Sequence, residues 1–317
     1  MNLKVAIPFK HQSTLVCDEA REMLKNAGFE ILCNEGRDLS RDEQKEMIKD
    51  AFGIMAGVES YDADMLSACK NLRCVIRFGV GTDNFDLQKM KEMNVEVGVI
   101  SNRNAVAEFT LTLMLAAVKN LILFDRTTRQ GRWDRFTMTE LAGKTIGIIG
   151  FGRIGKRLTE LLKMFDATIL VYDPYIEGPA LKTGDDFRLV SFEELLAQSD
   201  IISVHAPSVK STYHMINAET IGKMKDGVVL VNTSRGALID ETALYEALVS
   251  GKVRAAGIDV YEKEPITKEN PLLTLDNVVV APHAAALSYE TNYNGGLISA
   301  KSIINVLNGG KPLYPLW

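Results

Sequence analysis

The sequence predicts an α/β protein of two doubly wound parallel-sheet domains, one inserted in the other. Three observations lead there. Strand-like and helix-like stretches alternate along the whole chain. The run Lys144-Thr145-Ile146-Gly147-Ile148-Ile149-Gly150-Phe151-Gly152-Arg153-Ile154-Gly155 sets a glycine turn between a strand and a helix. A last helical stretch, 288–307, follows the final strand candidate and has no place in the second sheet.

Taken in order, the first strand candidates are 4–7, 30–33, 53–56, 73–78 and 95–100, with amphipathic helical stretches such as 17–26 and 41–50 between them. That is a complete small unit of flavodoxin-like type. The longest apolar stretch, 109–118, lies between Glu108 and Lys119 and is too short to cross a bilayer, so it predicts a buried helix at a domain or subunit contact. A second series follows at 145–150, 168–172, 201–205, 228–232, 255–259 and 278–281. Six strands with intervening helices match a full Rossmann sheet. The helix at 288–307 is inferred to return to the first unit, so residues 102–287 form an insertion within a domain built from 1–101 and 288–317. The crossings are expected near 101–104 and 285–288.

Composition bounds the function. With 317 residues, 46% hydrophobic and 24% charged, the chain reads as a globular protein of about two domains. A net charge of -5 and a pI near 5.6 argue against a dedicated nucleic-acid surface. Arg126, Arg129, Arg132 and Arg135 recur every three residues, and they read as a solvated helix or arm laced with Asp125 and Asp134. Cys17, Cys33, Cys69 and Cys74 lack paired or metal-like spacing, which suits reduced core thiols of a cytoplasmic protein. The first residues lack the long apolar region and cleavage site of a secretory signal. Neither a metal site nor a membrane or nucleic-acid partner is expected.

The glycine run carries the first chemistry. Gly150 permits a tight turn, Gly152 lets backbone approach a pyrophosphate, and Gly155 allows close packing of helix on strand. Asp173, ending the next strand, is placed to accept hydrogen bonds from an adenosine ribose. Its charge, followed by Pro174 and Tyr175 with no cation, favours NAD over NADP. Three further polar residues stand at strand ends, where a doubly wound sheet receives its ligand: Arg235 after Asn232-Thr233-Ser234, Glu264 after Asp259-Val260-Tyr261-Glu262-Lys263, and His283 after Ala281-Pro282. An arginine to grip a carboxylate, a histidine to move a proton and a carboxylate to orient it suit hydride transfer at a 2-hydroxy acid. A surface ion pair, a solvated loop and a turn residue are the plain alternatives.

These runs, with Gly79-Val80-Gly81-Thr82-Asp83-Asn84 and Glu264-Pro265, closely resemble the D-2-hydroxyacid dehydrogenase family, in particular its phosphoglycerate-dehydrogenase-like branch, over nearly the whole chain. The resemblance implies that Arg235 binds the substrate carboxylate and carbonyl, that His283 is the acid/base and that Glu264 supports it. It implies that backbone amides around Val80 and Gly81 grip the carboxylate, and that Arg153, Ile154, Asp173, Ala206, Thr233, Asp259 and Ala286 line the dinucleotide. Arg77 and Arg135 occupy two of the places that hold a substrate phosphate, while Ala56 fills a third, with Gly57 beside it and Glu59 nearby. A homodimer through the cofactor domain is implied. The expected reaction is NAD-dependent interconversion of a D-2-hydroxy acid and its 2-keto acid, with 3-phosphoglycerate ranked first and hydroxypyruvate or glyoxylate reduction next. A non-catalytic, NAD-binding corepressor is the alternative from another class. Two departures stand out: Ala284-Ala285-Ala286-Leu287 replaces the family's usual residues after the histidine, and the crossing segment 102–108 is shorter than usual.

Overall fold

Short runs of β-branched and small residues, bounded by polar turns, form five strands in the first unit: β1 (Leu3–Ile7), β2 (Phe29–Cys33), β3 (Gly53–Ala56), β4 (Cys74–Arg77) and β5 (Glu96–Val99). Helices α1 (Asp18–Asn26), α2 (Arg41–Ile48), α3 (Ala63–Ser67) and α4 (Leu87–Glu92) connect them. Side chains fix where three of these helices start. Ser40 and Glu43 cap α2 reciprocally, while Asp62 and Asp86 accept amide hydrogen bonds at the starts of α3 and α4. All strands pair in parallel in the order β2-β1-β3-β4-β5, so the winding reverses between β1 and β3. The inner strands are buried on both faces, as parallel sheets require. Of the four cysteines expected in the core, only Cys69 and Cys74 are buried; Cys17 and Cys33 are half-buried.

The computed structural model describes residues 3–9, 16–34, 36–100, 103–176 and 186–317. The chain divides into two units, Met1–Asn102 with Leu287–Trp317, and Arg103–Ala286. Ser101 and Asn102, where one crossing was expected, lie outside the described residues.

The second unit opens with α5 (Arg103–Val118) and α6 (Leu121–Arg129), then β6 (Thr145–Ile149), α7 (Arg153–Leu162), β7 (Thr168–Tyr172), β8 (Arg188–Leu189), α8 (Phe192–Gln198), β9 (Ile201–Val204), α9 (Ala218–Gly222), β10 (Val228–Asn232), α10 (Glu241–Ser250), β11 (Val253–Ile258) and β12 (Val278–Val280). Its parallel sheet runs β12-β11-β10-β9-β6-β7-β8, with the reversal between β6 and β9. It has seven strands where the sequence predicts six. The extra one, β8, is only two residues long and pairs with β7, too short to leave a periodic pattern. The apolar stretch 109–118 falls inside α5, which packs on α7, β10 and β11. Among the described residues no single helix is long and apolar enough to cross a membrane.

The final helix, α11 (Tyr289–Leu307), packs in the first unit on α1 and β4. Its approach depends on glycine: a Cβ on Gly295 would lie 2.6 Å from Cζ of Phe78.

Candidate active site

The turn after β6 is shaped by contact as much as by conformation. Gly150 has φ +91°, and a Cβ there would lie 2.6 Å from the carbonyl oxygen of His205 at the end of β9. A Cβ on Gly155 would lie 2.3 Å from the Gly150 carbonyl oxygen, so α7 leans directly on the turn. Gly152 differs. Among the described residues nothing lies within 4 Å of its missing side chain, and no side chain caps the helix it begins. The result is a helix N-terminus that faces open space, which fits a pyrophosphate. Asp173 ties the turn down, accepting from the Phe151 amide at 2.8 Å and the Tyr175 amide at 3.0 Å. Arg153 is exposed, and Ile154, Ala206 and Ala286 are half-buried.

The ends of β10, β11 and β12 carry the reactive groups. Asn232 closes an Asx turn: its Oδ1 accepts from Ser234 N at 3.0 Å, and its Nδ2 donates to the Arg235 carbonyl at 2.8 Å. Ser234 Oγ donates to Val204 O, and Arg235 Nη1 donates to Ser234 O. Gly236 then passes so close to the next loop that a Cβ would lie 1.9 Å from the Tyr261 carbonyl carbon. Any larger residue would part the Arg235 loop from the Glu264 loop. Tyr261 in turn donates its amide to Glu264 Oε1 at 3.0 Å and its hydroxyl to Ala281 O at 3.0 Å.

Glu264 Oε2 stands 2.7 Å from His283 Nδ1. Burial raises the pKa of this carboxyl, but the His283 and Tyr261 hydrogen bonds and the charges of His283 and Arg235 outweigh it and hold it below its ordinary value. An ionised carboxylate only accepts, so Nδ1 donates to it and Nε2 is the nitrogen left to exchange a proton. Two of the three side chains picked out at strand ends are therefore in contact, and the Arg235 charge acts on the Glu264 carboxylate.

His283 adopts φ +54°, an uncommon conformation for a histidine. Asp259 holds it there. The His283 amide donates to Asp259 O at 2.7 Å, and the Asp259 carboxylate accepts from Ala284 N at 2.7 Å and Ala285 N at 3.0 Å. Asp259 is fully buried, and burial raises its carboxyl above the ordinary value against the pull of those two amides. Asp259, which by resemblance lines the dinucleotide, also closes with its carboxylate the turn that aims the histidine. That also gives Ala284 and Ala285 their task.

In the first unit, Arg77 is buried beneath the loop that follows it. Its Nε donates to Gly81 O at 2.9 Å and its Nη1 to Phe78 O at 2.7 Å. Among the described residues nothing accepts from the amides of Val80 and Gly81. Arg135 lies exposed on the coil after α6; its neighbours in the basic run pair as Arg126 with Asp276, Arg129 with Asp125 and Arg132 with Asp134.

Sequence reasoning passed over Thr110 and His205. Thr110 Oγ1, in α5, donates to Val106 O and meets Thr233 Oγ1 at 2.8 Å. Since the Thr110 proton is used, Thr233 is the donor in that pair. His205 Nε2 lies 2.9 Å from Ser203 Oγ, its Nδ1 is buried without a partner among the described residues, and burial lowers the ring's pKa to about 4. Neither has a local signal: one is a helix residue amid apolar neighbours, the other a lone histidine at a strand end. The one cluster with metal-like ligands among the described residues, His214, Asp240 and Glu262, is also a clasp, since Asp240 caps α10 and Glu262 accepts from Glu241 N.

Residues 111–285 match the family model for the D-isomer specific 2-hydroxyacid dehydrogenase NAD binding domain. The chain is 40% identical to the D-3-phosphoglycerate dehydrogenase of Archaeoglobus fulgidus over 300 residues, covering 93% of this chain and 56% of that protein. It spans little more than half the length of that relative. It is also 40% identical over 296 residues to the hydroxypyruvate reductase of Thermotoga maritima, covering 91% of this chain and 95% of the relative. The D-lactate dehydrogenase of Aquifex aeolicus, solved with NAD and lactic acid, superposes with a TM-score of 0.82 at 30% identity, covering 96% of each chain.

Proposed function

Because the chain belongs to the D-isomer specific 2-hydroxyacid dehydrogenase family, we propose that it interconverts a D-2-hydroxy acid and its 2-keto acid with NAD. The observation that carries this reading is the 2.7 Å contact between Glu264 and His283, on loops clasped to the one that bears Arg235.

The residues fit the dinucleotide. The open face at Gly152 and the uncapped start of α7 suit its pyrophosphate, with Gly150, Gly155, Arg153 and Ile154 shaping that end. Asp173 is half-buried, and each carboxylate oxygen keeps a lone pair for a ribose hydroxyl. Ala206, Thr233 and Ala286 line the remainder. When bound, the nicotinamide accepts or supplies the hydride. His283 Nε2 takes the hydroxyl proton in oxidation and returns it in reduction, while Glu264 fixes Nδ1 and stabilises the imidazolium that forms. Arg235 orients the substrate carboxylate and polarises its carbonyl.

The amides of Val80 and Gly81, which nothing in the described residues accepts from, support a carboxylate grip there. Within the acid class the resemblance ranks 3-phosphoglycerate first, with Arg77 and Arg135 as phosphate contacts, and hydroxypyruvate or glyoxylate next; the engagement of the Arg77 guanidinium with the Phe78 and Gly81 carbonyls favours the unphosphorylated acids over that order. The compared relatives are dehydrogenases and reductases, which favours turnover over a corepressor role. A homodimer through the cofactor domain is supported by exposed Leu121, Ile122, Trp133 and Met138. Four unpaired cysteines support a cytoplasmic setting.

The test is NADH oxidation with a panel of 2-keto acids, in wild type and Arg235→Lys. Wild type should turn over, and the lysine variant should bind NADH normally yet lose about 100-fold in kcat, because lysine cannot form the guanidinium fork. No turnover with any acid, or normal turnover in the variant, rejects the reading.

A further inference from the structure

In the first unit the sheet order reverses between β1 and β3, and a doubly wound sheet receives its ligand where the order reverses, beyond the carboxyl ends of its strands. Phe9 follows β1 there and Gly57 follows β3. A Cβ on Gly57 would lie 2.7 Å from the Phe9 Cβ and 2.6 Å from Oε2 of Glu59, so backbone, ring and carboxylate meet at that crevice. The Gly57 amide donates to Glu59 Oε2 at 3.1 Å. The loop is strapped to the neighbouring one: Asn84 Nδ2 donates to Glu59 O at 2.6 Å and to Gly57 O at 3.3 Å, and Tyr61 N donates to Asn84 O at 2.8 Å. Glu59 is thus fixed beside the loop of Val80 and Gly81.

We infer that Glu59 determines substrate choice, accepting a hydrogen bond from a hydroxyl on the substrate's C3 and rejecting a phosphate there; this rests on the keto-acid reading above. The charge balance supports it. Arg77, on the adjacent strand, directs its guanidinium to the Phe78 and Gly81 carbonyls. Ala56, where the resemblance puts a third arginine, brings no charge. Burial raises the Glu59 carboxyl above its ordinary value, while its amide hydrogen bonds and the Arg77 charge favour the ionised form. A phosphate dianion entering this crevice meets a partly desolvated carboxylate, whereas a hydroxyl supplies a further donor to a carboxylate that already accepts from the Gly57 amide. A site built to hydrogen-bond a hydroxyl also disfavours analogues without one.

The experiment compares kcat/KM for hydroxypyruvate, glyoxylate and 3-phosphohydroxypyruvate with NADH, in wild type and in Glu59→Gln, with Tm measured on both. Wild type should prefer hydroxypyruvate to the phosphorylated acid by at least about tenfold, and to glyoxylate as well. Glutamine keeps the shape and an acceptor for the Gly57 amide but drops the charge, so the preference over the phosphorylated acid should shrink about tenfold, mainly through KM. A wild type that prefers the phosphorylated acid overturns the inference whether or not the variant folds. Normal turnover with an unchanged ratio in Glu59→Gln overturns it while leaving the keto-acid reading intact. Absence of turnover with all three acids overturns both.

Discussion

Each unit carries a glycine-containing turn after an inner strand, but the two turns are braced by side chains of opposite charge. In the second unit, the Asp173 carboxylate accepts from Phe151 N and holds the turn by consuming an amide. In the first, the Arg77 guanidinium donates to Phe78 O and Gly81 O and holds its turn by consuming carbonyls. The sign of the brace decides what is left for a ligand. Beneath the first-unit loop the amides of Val80 and Gly81 are spared, which suits a small carboxylate. In the second, the brace is itself an acceptor for ribose hydroxyls, and the anion is left to the uncapped start of α7.

The largest effect is expected where the cationic brace is removed. Arg77→Met leaves the buried Phe78 carbonyl and the part-buried Gly81 carbonyl without their donor, at about 3 kcal/mol of stability. The spared amides then lose their alignment, so kcat/KM for keto acids should fall about 100-fold while NADH affinity stays normal. Equilibrium unfolding and separate NADH titration check the two halves. An equal loss of NADH affinity would break the division of labour between the turns.

The second-unit turn has a different weakness, because it leans on the backbone of His205. Burial lowers that imidazole's pKa to about 4 from an ordinary 6.5, so the unfolded chain binds the proton first as pH falls. The stabilisation is complete above pH 6.5 and is lost progressively down to about 4. Wild type should lose about 2 to 3 kcal/mol across that window beyond what His205→Gln loses, since each tenfold drop in proton affinity on folding is worth about 1.4 kcal/mol. Urea unfolding at the two ends of the window measures this, and parallel slopes would remove His205 from the acid response.

Legibility in the sequence followed the range of the interactions. The glycine turn, Asp173, Arg235, Glu264 and His283 could be read because each stands within a few residues past the end of an apolar strand, a local signal. The return of the last helix was inferred from its having no strand left to serve. What escaped depends on pairing across the fold. The Cβ-forbidding contact of Gly236 with Tyr261 joins residues far apart in sequence, and Asp259 looks like any acid at a strand end until its carboxylate is seen on the Ala284 and Ala285 amides. The two-residue β8 escaped because pairing with β7, and not pattern, makes it a strand.

The anionic brace can be tested by what it binds. Asp173→Ala should lower NADH affinity about tenfold, the loss of one to two hydrogen bonds from ribose to a charged acceptor. It should also narrow the preference for NADH over NADPH, because the charge that opposes a 2′-phosphate is gone. Keto-acid KM should hold steady at saturating NADH. Initial-rate measurements with both cofactors decide, and equal or better efficiency of the wild type with NADPH would contradict the role given to this carboxylate.

The smallest effect tests whether a second layer of hydrogen bonds sharpens the cofactor side. Thr110 spends its own proton on Val106 O, so the 2.8 Å contact with Thr233 is donated by Thr233, which turns the Thr233 lone pairs away from α5. In the proposed complex that makes Thr233 an acceptor, suited to an amide N–H of the nicotinamide and not to its carbonyl. Thr110→Val keeps the volume, removes the acceptor and lets the Thr233 proton rotate into competition. One neutral hydrogen bond is worth about 1 kcal/mol, so the NADH Kd should rise about fivefold, with little change in kcat. Thr110→Ser, which retains the hydroxyl, should restore binding. A Thr110→Val variant with normal Kd would show that the pair serves only the packing of α5 on β10.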